Sequence, residues 1–238
     1  MSTTYNDMGI ENVIDYKRIK KLFAIGMFGS ILGIIGDILL GYGTNDESLT
    51  GVERFLSKYT SASDIRYFWS ALLGMIGISI TSLCLFGVYR LIASKDQKTA
   101  HTYRSGIIGT MLFAGCGVHV PMVAVAFIYK AIYNIDKLSA LSISMTFAKY
   151  FIVPATCIYF IFFMVLYITQ FVAFGKGKTP CPKWALIFNP IIGMAICTPL
   201  MFINTPIASA LGCAWMNIAH LYMFIGLFIV VKKVEKEK

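Results

Sequence analysis

Charge is scarce in this sequence: only 14% of its 238 residues are Asp, Glu, Lys or Arg, against 57% hydrophobic. An ordinary soluble domain needs far less apolar surface for its core, and the mean hydropathy of +0.70 excludes that class. Histidine occurs three times. No CxxC pair or Cys-His cluster is present, which excludes the usual structural metal motifs. The six cysteines are Cys84, Cys116, Cys157, Cys181, Cys197 and Cys213, and all but Cys181 fall in apolar runs, so a disulfide framework is not expected. The Gly-Lys-Gly-Lys-Thr string at 175–179 lacks the spacing and strand-to-helix setting of a phosphate loop. No small-residue cleavage site follows the first apolar run, so it reads as a retained span. The two halves show no internal repeat, which weighs against a secondary transporter of the inverted-repeat kind.

What is present is a series of apolar runs, at about Leu22–Gly41, Tyr67–Ile92, Gly106–Tyr129, Ala148–Phe174, Trp184–Ile203 and Ile207–Val231. Each reaches the ~20 residues that cross a ~30 Å hydrocarbon core. The expected fold is an all-α membrane bundle of six transmembrane helices, one domain over residues 1–238. Six crossings place both termini on one side, and 15 of the 21 Lys and Arg fall on that side. The positive-inside rule then makes both termini cytoplasmic. The location is the cell membrane, the inner one if the source is bacterial. The net charge of +9 reads as topology signals and contacts to anionic membrane lipids, with nucleic acid excluded as a partner because no folded basic face with stacking groups is evident.

Local signals add detail. Thr50-Gly51-Val52-Glu53 matches a capping box, and Leu49, Val52, Phe55, Leu56 and Tyr59 recur at helical spacing opposite Glu53, Arg54 and Lys58. An amphipathic surface helix between the first two spans is expected, as a lid or a plug. Residues Ile10–Ile19 suggest a further short surface helix. Leu138–Phe174 would make ~55 Å of unbroken helix, so Leu138–Phe147 should lie on the surface or protrude, with a tolerated kink at Pro154. Asn189-Pro190, Thr198-Pro199 and Thr205-Pro206 suggest a discontinuous helix.

Three ionisable side chains, Asp37, His119 and His220, lie inside three separate spans. Such groups are costly in hydrocarbon and usually face a bundle interior. Helical rise places Asp37, His119, Asn217 and His220 between the outer boundary and just past the midplane, so their depths permit convergence. Ser30, Gly33 and Asp37 share one stripe, as do Cys213, Asn217 and His220. Gly115, Cys116 and Gly117 leave room before His119, and Pro121 loosens the backbone after it.

Several chemistries fit this set. Asp37, His119 and His220 are a ligand set for a catalytic zinc ion that would activate water. Without metal, Asp37 could orient one imidazole as general base, with Asn217 donating to developing charge. Both serve a hydrolase acting on a lipid or other amphiphile. The same pocket also suits a protein that binds or transports a small molecule or lipid, and pairing that only holds the helices together suits an interaction protein. A bis-histidine haem through His119 and His220 is geometrically allowed.

Gly36-Asp37-Ile38-Leu39-Leu40-Gly41-Tyr42, His119 and Trp215-Met216-Asn217-Ile218-Ala219-His220 together resemble an uncharacterised family of bacterial multi-pass membrane proteins. That resemblance covers most of the chain and implies no activity. The aspartate and histidines also resemble, much more weakly, the alkaline ceramidase and lysoplasmalogenase type of intramembrane hydrolases, which implies a zinc site. Those proteins carry His-x-x-x-His on a late helix, whereas here Met216 and Phe224 flank His220 at that spacing.

Overall fold

The computed structural model describes residues 14–237, and among these every regular element is helical. We label them α1 (Tyr16–Gly41), α2 (Gly51–Ser57), α3 (Asp64–Ala93), α4 (Gln97–Tyr133), α5 (Lys137–Gly175), α6 (Pro190–Phe202), α7 (Pro206–Cys213) and α8 (Trp215–Lys236). Five of them, α1, α3, α4, α5 and α8, are long and apolar enough to cross a membrane. Their starts follow local chemistry. Asp15, Asp96 and Asp136 cap α1, α4 and α5 by accepting from Arg18, Thr99 and Leu138 amides at 2.8, 2.9 and 3.0 Å, which satisfies donors that a helix start leaves free. Residues 10–13 of the short surface helix expected at Ile10–Ile19 lie outside the described residues, and Tyr16 onward simply opens α1.

Antiparallel neighbours surround α1. Its Gly36 lies against the Gly74 backbone of α3, and its Gly33 faces Asn217 of α8. Small residues permit this approach, since apolar helices in lipid associate through close packing instead of water exclusion. At one end of the bundle Lys20 pairs with Glu235, and Asp96 pairs with Lys178 at 2.6 Å. The other end holds the Lys130–Asp64 pair at 2.6 Å and the Asn45–Asn204 bonds at 3.0 and 3.2 Å. There the guanidinium of Arg66 donates to the carbonyls of Leu39 and Tyr42 at 2.8 and 2.7 Å, closing the last turn of α1 just beyond Asp37.

The stretch over Trp184–Ile203 is discontinuous, as its Asn-Pro and Thr-Pro pairs suggest, while other expectations need correction. A 3₁₀ turn at Lys183–Phe188 gives way at Asn189 to eight α-helical residues and a second 3₁₀ turn, Thr198–Phe202. Pro190 and Pro199 lack the amide that a continuing helix would use. The chain nevertheless runs alongside α8 and on to α7, because Phe188 packs beside Gly226 and Gly193 beside Ala219 of α8, and Met201 beside Gly212 of α7. The stretch expected over Ile207–Val231 divides at Ala214, where the backbone leaves helical geometry (ψ 2°) between α7 and α8. In α2, Thr50 occupies the cap position but its hydroxyl makes no cap bond, so the capping box does not form. The Leu138–Gly175 stretch is one continuous helix, α5, interrupted only by a π turn at Ala148–Ile152 before Pro154. At its start Leu138 is 92% exposed.

Candidate functional site

The strongest local feature around the polar residues is a second π turn, Ala114–His119, two residues before Pro121. Proline removes one i→i−4 bond and its ring crowds the preceding turn, and one extra residue per turn relieves that conflict. The wider turn delivers His119 onto α3. Its Nε2 sits 3.0 Å from the carbonyl oxygen of Ser70, and its Nδ1 sits 3.4 Å from Oδ1 of Asp37. Asn217 on α8 completes the cluster by donating from Nδ2 to Oδ2 of Asp37 at 2.7 Å. Four helices, α1, α3, α4 and α8, therefore meet through one carboxylate, one imidazole, one amide and one backbone carbonyl.

Hydrogen-bond chemistry assigns the protons. A carbonyl oxygen only accepts, so Nε2 of His119 carries a hydrogen. Nδ1 stands 3.4 Å from Asp37 as an ion-pair contact; with one further proton carried by either group the pair is neutral overall, which is how a buried carboxylate is tolerated away from water.

His220 belongs to a second network. Its Nε2 meets the hydroxyl of Tyr167 on α5, and the backbone carbonyl of Tyr167 accepts from Nδ2 of Asn189 at 2.9 Å. The oxygen of the same Asn189 side chain accepts from the Ile191 amide at 3.0 Å, which starts α6. Tyr167 and Asn189 are fully buried partners that the sequence reading did not single out as site residues. Asn189-Pro190 was legible as a helix start, and the second bond of its amide was not.

Asp37, His119, Asn217 and His220 all line one cavity of about 230 Å³, whose remaining wall is mainly apolar, with Met122, Tyr159 and Trp215 among its residues. All four of these polar residues are buried. Cys213 also reaches this cavity although it sits on α7, so the stripe it shares with Asn217 and His220 survives the break at Ala214. The expected three-ligand metal set is not assembled. Among the described residues no group of three His, Cys, Asp or Glu side chains is placed to hold a metal ion. His119 spends both ring nitrogens on Asp37 and Ser70, and His220 turns its Nε2 to Tyr167.

A larger cavity of about 470 Å³ lies at the Asn45–Asn204 end and shares Phe55, Cys213 and Trp215 with the inner one. The short helix α2 supplies Phe55 to both. Lys58, which follows α2, is 5% exposed and donates to Ser209 Oγ at 3.2 Å.

Residues 5–234 match a family described as a family of unknown function, DUF6796. No curated protein and no solved structure matches the chain.

Proposed function

We propose, from the premise that the chain belongs to the family of unknown function DUF6796, that it is an integral membrane protein whose inner cavity binds a small amphiphilic molecule. The observation that carries this is the convergence of Asp37, His119, Asn217 and His220 on one largely apolar cavity of about 230 Å³. A few placed polar groups in an apolar hollow are the usual make-up of a ligand site, and intramembrane ionisable groups mark such sites. Binding suits the geometry better than hydrolysis. A general base needs a ring nitrogen free to face a substrate proton and a group that orients it: both nitrogens of His119 face Asp37 and Ser70, and His220, whose Nδ1 has no hydrogen-bond partner, has no carboxylate within ion-pair distance among the described residues.

The topology we propose has six crossings, with the broken 183–213 stretch as the fifth and part of the sixth. Its passage along α8 supports this, as does the Lys20–Glu235 pair, which brings both ends of the described chain to one side. That end carries the basic majority, which supports its being cytoplasmic. The Asn45–Asn204 end, with α2 lying over it, then faces outward. Membrane lipids are the surrounding partners.

A second reading is favoured by a specific observation: the Ser70–His119–Asp37–Asn217 chain of contacts joins four helices, so it would also serve as a bundle staple. One experiment separates the two. The full chain is purified in nanodiscs and native mass spectrometry is used to look for a co-purified small amphiphile, in the wild type and in Asp37→Asn. Ligand present in the wild type and lost in a variant that still elutes as a folded bundle supports binding. A wild type that carries none, with a variant that only melts earlier, leaves the staple as the role.

A further inference from the structure

The outer cavity carries a charge arrangement that the inner pocket does not explain. Lys58 is almost completely buried, yet among the described residues no carboxylate lies within ion-pair distance of it or of Arg54, which lines the same cavity. The Lys58 ammonium meets only neutral acceptors, Ser209 Oγ at 3.2 Å and Cys213 Sγ at 3.9 Å, and stands 4.4 Å from the centre of the Phe55 ring. An ammonium has three donors, and a buried cation without a counter-charge is costly. Glu47, at the same end of the bundle, is exposed and accepts from Asn204 at 2.9 Å, and no Asp or Glu lines the cavity.

A second observation refines the ligand. Asn45 forms part of the same wall, its main chain is tied to Asn204, and its buried Oδ1 has no hydrogen-bond partner. The site thus offers two cationic donor groups and one unfilled acceptor. A carboxylate satisfies the cations but has nothing to donate. A phosphate monoester presents three oxygens to share between Lys58 and Arg54, and in its singly ionised form also donates a P–OH to Asn45. Met201, Phe202 and Ile203 form an exposed apolar rim beside it, which fits a chain attached to the headgroup.

We propose that the outer cavity is a binding site for a phosphate monoester headgroup, held by Lys58 and Arg54 and read by Asn45. It shares Phe55, Cys213 and Trp215 with the inner pocket but uses different charged residues, and it does not require that pocket to be occupied.

The test uses the full chain in phosphatidylcholine nanodiscs, titrated with dodecyl phosphate, dodecanoate and inorganic phosphate, with empty nanodiscs subtracted. The readouts are the melting temperature and the emission of Trp215, which lines the cavity. Dodecyl phosphate should bind saturably and more tightly than dodecanoate. Lys58→Met should weaken it by about tenfold or more, as expected for loss of a charged hydrogen bond, and Arg54→Gln by less. Arg54 is half-buried, so its variant keeps the test decisive if Lys58→Met does not fold. Inorganic phosphate binding as well as dodecyl phosphate would support the site with free phosphate as its source, and much weaker binding would support a lipid source. No saturable response to either phosphate, equal binding of dodecanoate, or unchanged binding by both variants would overturn the proposal.

Discussion

Gly74 leaves the space that the His119 ring occupies: a Cβ at that position would overlap Nε2, the nitrogen that faces Ser70. The nearest atoms belong to a ring held on both sides, so the conflict has no cheap escape. Gly74→Ala should therefore push His119 out of its contact with Asp37. Overpacking of this kind costs about 1–3 kcal/mol, to be read as a lowered melting temperature in detergent. An alanine variant as stable as the wild type would show that His119 is not held where the structure places it.

Gly33 stands in the same relation to Asn217, since an added Cβ would come 2.6 Å from the side-chain amide. Asn217→Leu removes the donor to Asp37 and leaves one carboxylate oxygen buried without its partner. A loss of about 1–3 kcal/mol is expected for such an orphaned group. The check is a thermal melt of the variant beside Asp37→Asn. The double variant should lose less than the sum of the two, because both act on one network.

The second network is separable from the first. Tyr167→Phe deletes the hydroxyl that meets His220 while leaving the ring packing. It should lower stability by about 1–3 kcal/mol and leave the effect of Asp37→Asn unchanged. Coupling between Tyr167→Phe and Asp37→Asn in a double-mutant cycle would join the two networks into one.

Outside the spans, Lys178 and the Thr99 amide hold the Asp96 carboxyl at about 2, below its ordinary 3.8. The folded state thus binds this proton less readily than the unfolded state. The stabilisation is fully present above about 4 and is lost as the pH falls from there through about 2. Asp96→Asn should melt earlier than the wild type at neutral pH, and the gap should close across that acid window. A gap that persists at the acid end would assign the effect to something other than ionisation.

Burial pushes the Lys58 ammonium below its ordinary 10.5. In the ligand-free protein its charge is therefore a cost, present at neutral pH and relieved as the pH rises through the folded value toward 10.5. Lys58→Met should raise the melting temperature at neutral pH, and the advantage should shrink in alkali. Circular-dichroism melts across that range check it; a variant less stable than the wild type at neutral pH would assign Lys58 a net stabilising role in the empty cavity.

Much of this molecule is written in its sequence. Apolar runs long enough to span a membrane impose helices whatever their neighbours, because an unpaired backbone amide is too costly in hydrocarbon. Burial of Asp37, His119 and His220 follows from the same cost, and their depths along each helix follow from a constant rise per residue. Tertiary structure alone decided the rest. Rotation about each helix axis depends on local breaks: the π turn before Pro121 aims His119 at Asp37 and Ser70, and the cap at Asn189 ties α6 to Tyr167 and so to His220. Hydropathy is silent on such breaks, which change the direction of a side chain without changing the composition of its helix. The partition of two histidines into separate networks, and the stranding of Lys58 beside a cavity, depend on which faces meet across the bundle, and that is settled by contacts between residues as far apart as Asp37 and Asn217.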